Sequence, residues 1–96
     1  MSVLIAVAVD NDDKIASHLG KSEMFMIFDR KGERVKFIEM RKRKNTSEHL
    51  IEDIKDCKFV IAETIGPGMR DSLINAGISP ILEKRTKDPC YAVKII

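Results

Sequence analysis

Val3 to Val9 is an unbroken apolar run closed by Asp10. It shows no polar alternation, so both of its faces need cover, as in the centre of a parallel sheet. Residues 10–23 are polar, rich in Asp, Ser and Lys, with Gly20 inside; they predict a long loop with a helical turn near Ile15. Met24 to Phe28 is a second apolar run, and Arg30-Lys31-Gly32-Glu33 is a turn signal. Arg34 to Met40 then alternates, with Val35 and Phe37 on one face and Lys36 on the other, so the second and third runs predict a hairpin. Beyond Asn45 the period lengthens to 3.6. Asn45 and Glu48 suit a capping box, and Leu50, Ile51, Ile54 and Cys57 form one stripe, predicting a helix over roughly 46–56. Phe59 to Ala62 reads as a short buried strand. Gly66-Pro67-Gly68 opens a helix in which Met69, Leu73 and Ala76 face inward and Gly77 is the stop. Ile78 to Leu82 is a fifth strand, which Pro80 makes start late or lie at an edge. Asp88-Pro89 caps a last short helix carrying Tyr91, Val93 and Ile95.

The order is β-β-β-α-β-α-β-α. Alternating strands and helices in the second half require parallel strands with right-handed crossovers, while the hairpin adds an antiparallel strand. A mixed five-stranded α/β sheet follows, with the first strand central between the hairpin and the strand at 58–63. A chain of 96 residues makes one domain, 1–96.

The net charge of +2 points to no polyanion partner, and nucleic acid is not expected. The distribution is uneven. Residues 30–44 hold eight basic side chains against Glu33 and Glu39, a local charge of +6, which leaves −4 elsewhere. One basic edge is expected to stand out, although the Arg41-Lys42-Arg43-Lys44 run reads first as a solvated connection. No apolar run reaches the ~20 residues of a membrane span, and the start lacks the basic and small-residue features of a signal peptide. A cytoplasmic protein is expected. Cys57 and Cys90 cannot by themselves make a disulfide framework or a four-thiolate metal site.

Several motifs fail on inspection. Gly20-Lys21-Ser22 ends like a phosphate loop, but Ile15 stands where the first glycine belongs. Gly66-x-Gly68 lacks the third glycine of a dinucleotide fingerprint and reads as a tight strand-to-helix turn. Asp10, Asp12 and Asp13 do not make an EF-hand, since Ile15 and Lys21 occupy the required Gly and Glu positions. Asp10 and Glu63 each close a strand. Were those strands neighbours, the two carboxylates could hold Mg²⁺ for a nuclease. His18 sits on the loop next to Leu19-Gly20, away from any apolar stripe, where a neutral imidazole can ligate a metal or be merely solvated. His49 lies one step off the helical stripe and faces Asp53 as a surface pair. Cys57 extends the buried stripe and reads as structural, whereas Cys90, in the first turn of the last helix, is the better soft ligand.

Taken in combination, an apolar strand ending in Asp10, then Ser17-His18-Leu19-Gly20-Lys21, Phe25 with Asp29, Asn45, the strand at 58–63, Gly66-Pro67 and Ala76-Gly77-Ile78 resemble the dinitrogenase iron–molybdenum cofactor biosynthesis family. These are small cluster-binding carriers of nitrogenase assembly. The resemblance implies a ribonuclease H-like three-layer fold and a non-catalytic role in nitrogen fixation. It implies binding of iron–molybdenum cofactor or an iron–sulfur precursor, with cofactor-assembly proteins as partners. His18, in the His-x-Gly loop, becomes the leading ligand, with Gly20 and Lys21 beside it; Cys90 and His49 are secondary candidates. The chain departs from the family's usual pattern at Leu19, where Phe is common, and at Glu63-Thr64-Ile65, where the strand usually ends in glycine. A protein-interaction module whose basic edge docks an acidic partner is the third reading.

Overall fold

β1 (Val3–Val9) lies at the centre of the sheet, and its odd and even side chains enter two different cores. In the computed structural model, which describes residues 3–44 and 49–96, β2 (Met24–Lys31) pairs antiparallel to β1 on one side. β4 (Phe59–Ala62) pairs parallel to β1 on the other side. β3 (Arg34–Lys42) pairs antiparallel to β2, and β5 (Ser79–Leu82) pairs parallel to β4. The sheet order is β3-β2-β1-β4-β5, with β2 running against the other four. This is the mixed five-stranded sheet expected, with the apolar first run central because both its faces are covered. Pro80 sits in the edge strand β5, where a missing N–H costs no ladder bond.

Helices cover both faces, giving three layers. Leu4, Ala6 and Ala8 of β1 point to a cluster that includes Phe25, Ile27, Leu50, Ile54 and Leu73, under α1 (Ile51–Ile54) and α2 (Pro67–Asn75). Val3, Ile5, Val7 and Val9 point to the opposite cluster, under Ala92 and Val93 of α3 (Pro89–Ile95). No helix among the described residues is long and apolar enough to cross a membrane.

Three details depart from the periodicity. The first helix is described only as the four-residue α1, preceded by His49 and Leu50; the expected cap at Asn45 and Glu48 lies outside the described residues. Ala76 is exposed and terminates α2 instead of facing inward, while Gly77 at φ +82° makes the turn that follows. In α3 the buried positions are Pro89, Ala92 and Val93, and Tyr91 faces out.

The hairpin also carries a β-bulge. Phe28 pairs with Phe37 but Ile27 pairs with Glu39, so Ile38 is an extra residue on β3. The bulge brings Met40 onto the same side as Val35 and Phe37, where simple alternation would place Glu39. Val35 and Met40 pack against the α3-side cluster. Gly32, at φ +59°, takes the first position of the two-residue loop between Lys31 and Arg34.

Candidate functional site

The chain leaves β1 toward β2 and leaves β4 toward β5, so the two parallel strands diverge at their C-terminal ends. A switch point of this kind opens a crevice in α/β sheets. The loop after β1 is built into it. Asp10 starts the loop: its Oδ1 accepts the N–H groups of Asp12 at 2.9 Å and Lys14 at 3.1 Å. Asp13 takes a left-handed φ of +60°, a conformation that Asp tolerates better than most residues. The chain then doubles back, and Ile15 bridges Val9. Ala16 donates its N–H to the Ala8 carbonyl at 2.8 Å and accepts from the Glu63 N–H at 3.0 Å. Ser17 accepts from the Thr64 hydroxyl at 2.5 Å, and the Leu19 N–H reaches the Thr64 carbonyl at 3.0 Å. Residues 15–19 are thus stitched between the ends of β1 and β4. Two side chains anchor the strap on opposite faces of the sheet: Ile15 in the α3-side cluster and Leu19, fully buried, in the other.

His18 therefore has a defined place. It is half-buried and caps a 3-10 turn, Leu19–Lys21, by accepting the Gly20 N–H on Nδ1 at 3.0 Å. In the neutral ring, the tautomer assigned from this bond carries its proton on Nε2. A metal ion taken by Nε2 requires that proton to leave or move to Nδ1, and in the second case the Gly20 bond is given up. Ser22, nearly inaccessible, closes the loop: its hydroxyl lies 3.1 Å from the Val9 carbonyl and 2.7 Å from that of Met24, tying the end of β1 to the start of β2.

His18 lines a cleft of about 440 Å³, together with Asp10, Lys14, Lys21, Glu23 and Lys87 among its charged groups. Three lysines face two carboxylates there, and the Asp10 carboxylate is already turned onto its own loop. Of the three residues the sequence singled out, His18 and Lys21 line the cleft and Gly20 holds the His18 ring. Cys90 and His49 are not among the residues that line it. Cys90 packs against the α3-side cluster, its N–H capped by Asp88 at 3.0 Å, and His49 is exposed ahead of α1. Cys57 is buried, which pushes its thiol up to about 12, with the Asp56 carboxylate adding to the effect; it is a core residue.

Asp10 and Glu63 do close neighbouring strands, yet each is engaged separately. Glu63 forms an ion pair with Lys87 and does not line the cleft. No group of three or more His, Cys, Asp or Glu residues arranged for a metal ion occurs among the described residues. The basic run is not simply solvated either. Arg41 donates to both carboxylate oxygens of Asp56, at 2.8 and 3.2 Å, and to the Asp53 carbonyl at 2.8 Å. Those hydrogen bonds hold the Asp56 carboxyl below the usual carboxylate range. Arg43 reaches the Gly20 carbonyl from Nη1 at 2.9 Å, and its N–H bonds to the Glu23 carbonyl at 2.8 Å. Arg43 is the site residue that sequence reasoning missed.

A three-layer α/β domain with a histidine-bearing strap across the switch point of its sheet is the class that these features define. Within it, the chain belongs to the dinitrogenase iron-molybdenum cofactor family, which it matches over residues 1–94. The FeMo cofactor biosynthesis protein NifB of Bradyrhizobium diazoefficiens is 28% identical over 91 residues, covering 84% of this chain. The chain spans only 18% of the length of that relative. Among solved structures, PH0822 is 27% identical over 82% of this chain and 77% of its own, with a TM-score of 0.75. The mj0327 protein of Methanocaldococcus jannaschii shares the fold over 99% of this chain and 88% of its own, at 16% identity and a TM-score of 0.77.

Proposed function

We propose that this domain binds an iron–molybdenum or iron–sulfur cluster, or a precursor of one, as cargo in the cleft beside the strap, and passes it on without catalysis. Membership of a family involved in iron–molybdenum cofactor biosynthesis supplies the context. The observation that carries the reading is His18: a half-buried imidazole held by its own turn at the edge of a cleft lined by Lys14, Lys21 and Lys87. The clusters in question are anionic, and Lys14 and Lys21, which make no ion pair among the described residues, favour an anion there, whereas Lys87 is already paired with Glu63. The donor set fits transfer better than storage. A single imidazole with no thiolate among the lining residues gives a weak, exchangeable hold, whereas resident iron–sulfur clusters are kept by several cysteines.

Anaerobic titration of the wild type and His18→Ala with iron–molybdenum cofactor, followed by cluster absorbance, tests this. His18→Ala should weaken binding about tenfold or more, ~1.4 kcal/mol. Wild type that binds no cluster would remove the carrier reading. Equal binding by both proteins would leave the cleft but remove His18 as ligand.

A further inference from the structure

β3 is a nine-residue edge strand, and its outer side meets no other strand among the described residues. Its two faces differ in chemistry. Cross-strand partners put Val35, Phe37 and Met40 on the α3 side, opposite Arg30, Phe28 and Met26. Phe37 meets Phe28 edge-on, with ring centroids 5.6 Å apart, and remains 51% exposed. The other side carries Arg34, Lys36 and Glu39, opposite Lys31, Asp29 and Ile27. Arg34 and Lys36 are exposed and make no ion pair among the described residues. Ile38, the bulged residue, is 42% exposed.

We propose that this edge accepts an extended acidic peptide segment of a partner protein as a sixth strand. The outer backbone N–H and C=O groups of β3 would supply the ladder. Alternate side chains of the incoming strand would be apolar, continuing the Val35–Phe37–Met40 stripe. Those between them would be carboxylates facing Arg34 and Lys36.

Charge selects this occupant. The segment 30–44 carries +6, so a second copy would bring like charge to like charge. Exposed lysines and a bulge are also the devices that keep edges from pairing with themselves. The charge, unlike the bulge, discriminates by sign and leaves an oppositely charged strand welcome. Nucleic acid would satisfy the charge but has no peptide groups to extend a ladder. β3 also offers a single aromatic ring, Phe37, where base stacking along a strand uses several in succession. The surface is separate from the His18 cleft and stands whether or not a cluster binds there.

An acetylated and amidated nine-residue peptide alternating glutamate and valine is the probe, with its fully N-methylated counterpart as control. Backbone amide exchange of the protein reports where it binds, and calorimetry reports how tightly. The peptide should slow exchange in β3 and bind about tenfold tighter than the N-methylated form, ~1.4 kcal/mol. An Arg34→Glu, Lys36→Glu double variant, checked by circular dichroism to be folded, should lose a similar factor. Equal affinity for the N-methylated peptide would overturn strand addition. So would peptide binding that the charge reversal leaves intact, or protection of β3 by self-association alone. Binding of a thymidylate oligonucleotide at β3 with the peptide silent would overturn the choice of partner.

Discussion

The guanidinium of Arg43 donates to the carbonyl of Gly20 at 2.9 Å, so a residue just past the edge strand holds the turn that fixes the His18 ring. Gly20 is gripped at both backbone groups, its N–H by His18 and its carbonyl by Arg43. Arg43 is therefore a positioning residue for the cleft and lies outside its lining. Arg43→Ala should cost about 1 kcal/mol of stability, the worth of an ordinary hydrogen bond. It should also weaken cluster binding about three- to tenfold, ~0.7–1.4 kcal/mol. Arg43→Lys should recover part of the affinity. A purely structural role would lower the unfolding midpoint and leave the affinity unchanged, so the two measurements made together decide.

Leu19 and His18 are adjacent and should behave oppositely. Leu19 is fully buried in the two-helix core, so Leu19→Ala should cost about 2–4 kcal/mol. His18→Ala removes one capping hydrogen bond and should cost about 0.5–1 kcal/mol. Urea titrations of the two variants measure the gap. Equal losses would mean that the strap is not anchored through Leu19.

Glu83 supplies a pH dependence with a definite sign. Its side chain is 1% exposed and its carboxylate faces the guanidinium of Arg85 at 2.8 Å. It also accepts the Arg85 N–H at 2.7 Å. The hydrogen bond from the Arg85 side chain, against the opposing effect of burial, holds its carboxyl below the usual range. An unfolded Glu titrates near ~4.3. The stabilisation is thus complete above that pH and is lost as pH falls through the lower folded value. Arg85→Gln should be less stable than wild type at neutral pH, with the difference narrowing below about pH 4. Denaturant midpoints across a pH series check this; a gap constant with pH would show that Arg85 acts by packing alone.

Local pattern carried most of the fold. The apolar run Val3–Val9, the turn at Gly32, the Pro67 helix start and the Pro80 edge strand each follow from neighbouring residues, and each stands where it was expected. The bulge did not, because Val35, Phe37 and Met40 reach one face only after Ile38 is counted out. Periodicity has no means of marking an extra residue. In the site, the His18 loop was visible as a histidine beside a glycine and a lysine. Its support was not: Thr64 reaches Ser17 across 47 residues, and Arg43 reaches Gly20 across 23. Side-chain bonds to a distant backbone leave no spacing to read, and a run of four cations gives no sign that Arg41 and Arg43 turn inward while Lys42 and Lys44 stay exposed.

Because consecutive side chains of β1 enter alternate cores, neither core can come apart without the strand that belongs to both. The two helical layers are therefore not separate cooperative units: opening either exposes the same seven-residue strand. Unfolding should proceed as a single transition, with the amides of β1 exchanging with solvent only through global opening. The strap across the switch point is tied into the same unit, because Ile15 and Leu19 bury in the two cores and its bonds run to the ends of β1 and β4. The molecule is thus one all-or-none scaffold, and the strap that carries His18 holds its place for as long as both cores do.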